Sequence, residues 1–142
     1  VQTCALPICL AMEGSPEAQR QVAHMHNCGE GVPACRALAI RWYRMAAEQG
    51  ETLSQISQGF IYRNGDGVPR DSAEAANWFR RAAQQGDADA QCFLGELYER
   101  GEGVPRDWRR AVHWYRLAAL QGEEMPAIQL AALLGQRAMA DG

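Results

Sequence analysis

The sequence lacks an excess of basic residues. It holds 14 Lys and Arg residues against 17 Asp and Glu residues, which gives a net charge of −3. A protein that binds nucleic acid needs a basic face to neutralise phosphates. Attachment to anionic lipid through charge has the same requirement. The composition therefore predicts neither nucleic acid nor an anionic lipid surface as a partner.

Long apolar runs are also absent. A membrane-spanning helix needs about 20 consecutive apolar residues, and the longest apolar stretch, around residues 128–134, is interrupted by Gln129. The period-two alternation of β-branched residues that is typical of strands does not occur. We therefore expect no membrane insertion of this fragment and no β-sheet.

The five cysteines show no regular pairing pattern. Cys28 and Cys35 flank one loop and could form a disulfide or remain free thiols, Cys92 is isolated, and the other two cysteines lie before residue 10. Residues 1–8 resemble the translation of a common sequencing-library adapter, and we expect them not to pack with the rest of the chain. On that interpretation the chain is a fragment that lacks its true N-terminus, so the localisation remains unknown.

The dominant feature of the sequence is a 36-residue repeat. The segment Gly29-Glu30-Gly31-Val32-Pro33 recurs in nearly the same form 36 and 72 residues later, and residues 51–86 match residues 87–122 at 16 of 36 positions. The same spacing relates Trp42, Trp78 and Trp114, as well as Gln19, Gln55 and Gln91. The pattern predicts repeats at 15–50, 51–86 and 87–122, a partial repeat or C-terminal capping helix at 123–142, and, within 1–14, the remnant of a preceding repeat after the adapter-derived residues.

Each repeat has the pattern of two α-helices. The apolar residues of the second helix in the middle repeat share one helical face: Ala75, Trp78, Phe79, Ala82 and Ala83. Asp71 is placed as its N-cap and Gly86 as its C-terminal cap. In the next repeat the first helix is predicted from about Ala88 to Arg100. One helical pair cannot bury its apolar face alone, so the repeats must stack into an all-α array.

The repeated pattern resembles the Sel-1-like repeat family, a relative of the tetratricopeptide repeats. The resemblance rests on Ala-x-x-Trp-Tyr/Phe-Arg-x-Ala-Ala-x-Gln-Gly, on Ala-x-Gln-x-x-Leu-Gly-x-x-Tyr and on Gly-x-Gly-Val-Pro-x-Asp, and it covers residues 15 to about 135. It implies an all-α, right-handed αα-superhelix (solenoid) of about three and a half 36-residue helix-turn-helix repeats. It also implies a concave side, lined mainly by the first helices, that binds partner proteins. One cysteine-rich branch of the family is linked to β-lactam binding or hydrolysis, and its disulfides join positions near Ala83 and Gln91.

Two residues depart from the repeat pattern in ways that affect stability. Cys35 occupies the position at which Asp71 and Asp107 are expected to cap their helices, and a lost cap costs about 1 kcal/mol. Gln58 occupies the position of Leu94, which places a polar group at an expected core site.

Three sets of residues could suggest a phosphate-binding loop, a metal site or a catalytic carboxylate pair, and each has a simpler explanation. The Gly-x-Gly-Val-Pro segment follows no strand and occurs three times, so it is interpreted as a turn between helices. His24 and Cys28 share a helical face, but His26 points elsewhere and no fourth ligand is apparent, so no metal site is predicted. Glu96 and Glu99 are interpreted as carboxylates on a solvated surface. No nucleophile with an adjacent base is apparent, and we predict no catalytic residues and no cofactor.

Candidate partner-binding residues are those that vary between otherwise matching repeats, since a groove residue faces a partner that does not repeat. Phe60 is the strongest candidate because aromatic side chains often dominate interfaces. Trp108 is a second candidate, expected on the outer face. The candidates on the first helices are Arg20, His24 and Asn27, then Ile56, Phe60 and Arg63, then Cys92, Glu96 and Glu99.

Taken together, the repeat and its family resemblance predict a non-catalytic protein–protein interaction scaffold. It would bind a partner protein or peptide, of unknown identity, through its concave surface. The alternative is an enzyme of the cysteine-rich type that acts on β-lactams or cell-wall material. That alternative requires regularly spaced disulfide bonds and an oxidising compartment.

Overall fold

The computed structural model describes residues 6–122 and 124–140, so most of the expected adapter-derived segment, residues 1–5 with Cys4, lies outside the described residues. Within the described ranges the chain forms eight helices and no strands, which confirms the predicted all-α class. In chain order the helices are α1 (Leu6–Met12), α2 (Pro16–Cys28), α3 (Arg36–Glu48), α4 (Thr52–Asn64), α5 (Ser72–Gln84), α6 (Ala88–Arg100), α7 (Trp108–Ala119) and α8 (Glu124–Ala140).

The helices α2, α4 and α6 begin and end in the same way, 36 residues apart. Each has a side chain at its N-cap that accepts a hydrogen bond from the backbone N–H three residues later; the cap residues are Ser15, Glu51 and Asp87. Each ends at a glycine with a left-handed φ of 71° to 74°, namely Gly29, Gly65 and Gly101. The bounds Ala88 and Arg100 that the sequence predicts for α6 are confirmed.

The predicted difference between the caps of α3 and α7 is also confirmed. The Asp107 carboxylate accepts hydrogen bonds from the backbone N–H groups of Arg109 and Arg110, at 3.0 and 3.2 Å. Cys35, at the equivalent position before α3, makes no side-chain cap hydrogen bond. Helix α3 therefore lacks the side-chain acceptor that binds two backbone N–H groups at the start of α7.

The chain divides into two compact units, Val1–Asp71 and Ser72–Gly142. In the first unit α1 packs on α2, α2 on α3 and α3 on α4. One part of its core is formed by the buried Ala11, Ala18 and Val22, against which Ile8 and Trp42 pack. The expectation that residues 1–8 stay outside the packing is therefore wrong for Ile8, because its apolar side chain packs against this buried cluster of α1 and α2.

In the second unit α5 packs on α6, α6 on α7 and α7 on α8. The whole predicted face of α5, including Trp78, is buried, so the face was assigned correctly. Tyr115 of α7 is fully buried and its ring lies against Gly95 of α6. A Cβ atom at Gly95 would lie 2.6 Å from that ring, so the close approach of these two helices depends on the missing side chain.

None of the helices that the structure describes combines the length and apolar character needed to cross a lipid bilayer.

Candidate functional site

A groove in the first unit brings together residues from α2, α3, α4 and the loop after α4. Asn27 and Phe60, two of the predicted partner-binding residues, lie in its lining, and Ile40 and Tyr43 contribute apolar surface from α3. The groove has a volume of about 190 Å³. Pockets that hold small ligands usually occupy roughly 300–1,000 Å³. The groove is therefore smaller than most pockets that hold small ligands.

Three of the polar side chains that line this groove interact with one another. The Arg36 guanidinium donates a hydrogen bond to Oδ1 of Asn27 and lies 3.2 Å from Oδ2 of Asp66. Arg36 and Asp66 remain about half exposed, so this ion pair contributes little to stability. Its effect is geometric, because it holds a cation, an anion and an amide together in the lining of the groove.

Tyr43 keeps its phenol proton in this setting. Its pKa is raised above the ordinary value, chiefly because burial disfavours the phenolate and secondly because of the charge on Cys28. Arg20 and Arg36 act in the opposite direction but less strongly. The groove therefore presents a neutral hydroxyl at neutral pH.

The other predicted residues of the first unit do not line this groove. Arg20 forms an ion pair with Glu51, with Nε 3.3 Å from the carboxylate. His24 is exposed and lies beside Cys28 on α2. Ile56 and Arg63 are partly buried on α4. The structure thus brings Asn27 and Phe60 together, and leaves the other four candidates outside the lining.

In the second unit the predicted residues have partners within the protein. Tyr115 donates a hydrogen bond of 2.7 Å to Glu99, and Gln129 of α8 donates one of 3.1 Å to Glu96. Cys92 donates to the side-chain oxygen of Gln129 at 3.0 Å. The interpretation of Glu96 and Glu99 as solvated surface carboxylates is wrong, because both are partly buried acceptors between helices. Burial and the bond to Glu99 raise the pKa of Tyr115 strongly.

Trp108 lines a separate cleft of about 380 Å³ between α7 and α8, together with Leu133 and Arg137. The Arg137 guanidinium stacks 4.5 Å from the centre of the indole ring, and that of Arg109 lies 5.6 Å away. These cation–π contacts cover part of the ring. Trp108 is consequently less exposed than its variable position in the sequence predicts.

The repeated glutamines form a set of buried hydrogen bonds, a role that was not predicted from their sequence positions. Each side-chain amide donates to the backbone carbonyl eight residues earlier: Gln19 to Ala11 at 3.2 Å, Gln55 to Ala47 at 3.1 Å and Gln91 to Ala83 at 3.2 Å. Each of these carbonyl groups lies near a helix C-terminus and also accepts a bond from the N–H of the glycine three residues later, so the glutamine supplies a second donor. The strict 36-residue spacing was the available signal for this role.

The hydrogen bond between Gln91 and Ala83 joins the two positions at which the cysteine-rich branch of the family is expected to have its disulfides. Cys28 and Cys35 are free thiols, so the loop between them is not closed by a disulfide.

Comparison with known proteins identifies the family. The model of the Sel1 repeat matches residues 16–51, 54–87 and 88–123. A Sel1 repeat protein from Oxalobacter formigenes is 37% identical, with a TM-score of 0.85, and the match covers 89% of this chain and 95% of that one. No curated protein matches the chain significantly.

Two further solved structures share the fold. A protective antigen of uropathogenic Escherichia coli that displays an SLR fold is 38% identical, with a TM-score of 0.81; the match covers 84% of this chain but only 26% of that one. Cysteine-rich protein B of Helicobacter pylori has a TM-score of 0.65 and covers 89% of this chain and 98% of that one, but at 21% identity it shows the fold alone. This chain is therefore a member of the Sel1 repeat family, with the all-α solenoid repeat fold of its solved relatives.

Proposed function

We propose that this chain is a non-catalytic scaffold that binds a peptide or surface loop of a partner protein through the groove of its first unit. Sel1 repeat proteins generally serve as protein-interaction scaffolds and are generally not enzymes. The observation that supports the groove as the binding surface is its composition, because its lining combines the apolar and aromatic side chains of Ile40, Tyr43 and Phe60 with the Arg36–Asp66 ion pair.

The groove suits one apolar side chain in an extended or turn segment. At about 190 Å³ it can hold an aliphatic or aromatic side chain of a partner, which would then lie against Phe60. Aromatic side chains at interfaces supply large apolar contact and often dominate the binding free energy. In this proposal the Asn27 amide and the Tyr43 hydroxyl would hydrogen bond with the peptide groups beside that side chain. The remaining predicted residues, Arg20, His24, Ile56, Arg63, Glu96 and Glu99, would contribute around the groove or through the second unit.

Phe60→Ala tests the groove, with peptides selected from a displayed random library against the whole chain as the probe. Affinity is measured by calorimetry and stability by urea unfolding. We expect binding of groove-directed peptides to weaken by roughly 1–3 kcal/mol, the range of an interface anchor. Stability should change less, because Phe60 is only partly buried. Trp108→Ala, in the separate cleft, is the matched control and should leave the affinity unchanged.

The paired measurements separate the possible outcomes. If Phe60→Ala unfolds the first unit, Phe60 is a core residue and the groove assignment fails. If Trp108→Ala weakens binding and Phe60→Ala does not, the partner uses the cleft between α7 and α8. Hydrolysis of nitrocefin by the chain above background would contradict the non-catalytic part of the proposal.

A further inference from the structure

We propose that His24, Cys28 and Glu30 form a site for a thiophilic divalent metal ion such as Zn²⁺. Each of the three residues offers one ligand atom, and these atoms all lie within 4.8 Å of one another. The inference is independent of the groove, because none of the three side chains lines it.

The distance between the first two ligands fits a metal ion. His24 and Cys28 are one turn apart on α2, and Nε2 of His24 lies 3.7 Å from Sγ of Cys28. In a tetrahedral zinc site, with Zn–N of about 2.0–2.1 Å and Zn–S of about 2.3 Å, these two atoms would be about 3.6 Å apart. An ion can therefore bind both ligands with almost no movement of the helix.

The end of α2 brings the third ligand into place. Gly29 adopts a left-handed φ of 74°, and the N–H groups of Gly29 and Glu30 both bond to the carbonyl of Met25, at 2.8 and 3.0 Å. This C-cap turns the chain back so that Glu30 lies beside Cys28. The Glu30 carboxylate forms no hydrogen bond or ion pair with any residue in the described part of the chain.

The other repeats show that the backbone alone brings these positions together. Residues 28 and 30 correspond to Asn64 and Asp66, whose side chains are 3.5 Å apart, and to Arg100 and Glu102, at 3.9 Å. Only at the first of these three sites are both residues, and the residue one turn earlier, metal-ligand types. Since the later repeats form the same turn without them, folding of the turn requires neither His24 nor Cys28.

The ligand chemistry selects the ion. Imidazole, thiolate and carboxylate are ligands that suit Zn²⁺, whereas Mg²⁺ and Ca²⁺ prefer oxygen ligands alone. The Cys28 thiol releases its proton to solvent as the sulfur–metal bond forms. His26 is not part of the site, because its ring nitrogens are not among the ligand atoms that lie within 4.8 Å of one another. The fourth position of a tetrahedral ion would be filled by water.

Cobalt titration of the whole, untagged chain tests the site. Co²⁺ is added under a reductant that does not bind metals, and absorption is followed from the near ultraviolet to the visible. We expect one equivalent of Co²⁺ to give thiolate-to-cobalt charge transfer together with the intense visible bands of four-coordinate cobalt. Added Zn²⁺ should remove both signals, because it binds such sites more tightly than Co²⁺.

Single substitutions assign the ligands. Cys28→Asn, which introduces the residue found at the same position of the next repeat, should abolish the charge-transfer band without loss of helicity. His24→Ala and Glu30→Gln should each weaken Co²⁺ binding by at least about tenfold, since even residues behind metal ligands have effects of that size. Cys35→Ser, which removes the free thiol at the other end of the loop, should leave the spectrum and the affinity unchanged.

Three results would overturn the proposal. The first is the lack of any charge-transfer band at millimolar Co²⁺. The second is a band that persists in Cys28→Asn, which would place the metal on another thiol. The third is an affinity that does not respond to His24→Ala or Glu30→Gln, which would reduce the site to a single cysteine.

Discussion

Gln58 is a buried amide whose oxygen lacks a partner, and we predict that Gln58→Leu stabilises the protein. The side chain is fully buried, and its Nε2 donates a hydrogen bond of 3.0 Å to the carbonyl of Ile40. Its Oε1 has no hydrogen-bond partner among the described residues. The position 36 residues later holds Leu94, which is also fully buried, so the fold accommodates leucine at this point of the repeat.

The expected gain follows from three contributions. A buried polar atom without a partner costs about 1–3 kcal/mol, and the hydrogen bond that the substitution removes contributes about 0.5–1.5 kcal/mol. The carbonyl of Ile40 lies inside α3 and keeps its helical bond to the N–H of residue 44, so it is not left without a donor. The branched apolar side chain of leucine also replaces a polar group at a site without solvent. We therefore expect a net stabilisation of about 1–2 kcal/mol.

Thermal and urea unfolding followed by circular dichroism measure this effect. A gain of that size should raise the Tm by on the order of 3–6 °C for a chain of this length. The reciprocal substitution, Leu94→Gln, is the control and should destabilise by about 2–4 kcal/mol, since it removes apolar burial and introduces a buried amide. A Gln58→Leu variant that is less stable than the parent chain would refute the reasoning, because it would mean that the amide is fully hydrogen bonded or determines the local packing.

Two further predictions follow from α6, α7 and α8. Gly95→Ala should cost about 1–3 kcal/mol, because its Cβ would overlap the buried ring of Tyr115; Gly135→Ala, in α8 with nothing within 4 Å of the added Cβ, should instead stabilise by about 0.5–1 kcal/mol. Urea unfolding compares the two, and effects of the same sign would contradict the packing of Tyr115 on Gly95. Because burial and then Glu99 raise the pKa of Tyr115, its contribution to stability is complete below the unfolded-state pKa of about 10 and declines as the pH rises above it. Tyr115→Phe should therefore lessen the alkaline loss of stability, and an unchanged pH profile would argue against the burial of this phenol.

Features that depend on neighbouring residues could be predicted from the sequence alone. The spacing of Ala75, Trp78 and Phe79 identified a buried helical face, and the glycine and aspartate positions gave the bounds of α6 and the cap at Asp107. These features depend on residues within one or two helical turns. The 36-residue repetition allowed each of them to be compared between three repeats. The polar core position of Gln58 followed from the same comparison between repeats.

Features that depend on which helices meet were decided only by the tertiary structure. Glu96 and Glu99 have the spacing of surface carboxylates, yet α7 and α8 bring Tyr115 and Gln129 to them. Ile8 packs because α1 lies on α2, and the packing of α2, α3 and α4 places Asn27 and Phe60 in one groove.

The third metal ligand illustrates the same distinction within a single loop. The sequence placed His24 and Cys28 on one helical face, because residues four apart always share a face. Glu30 joins them only because the left-handed Gly29 reverses the chain at the end of α2. Periodicity therefore determined the helices and their apolar faces, whereas the partners of side chains that project from those helices depended on backbone reversals and interhelical packing.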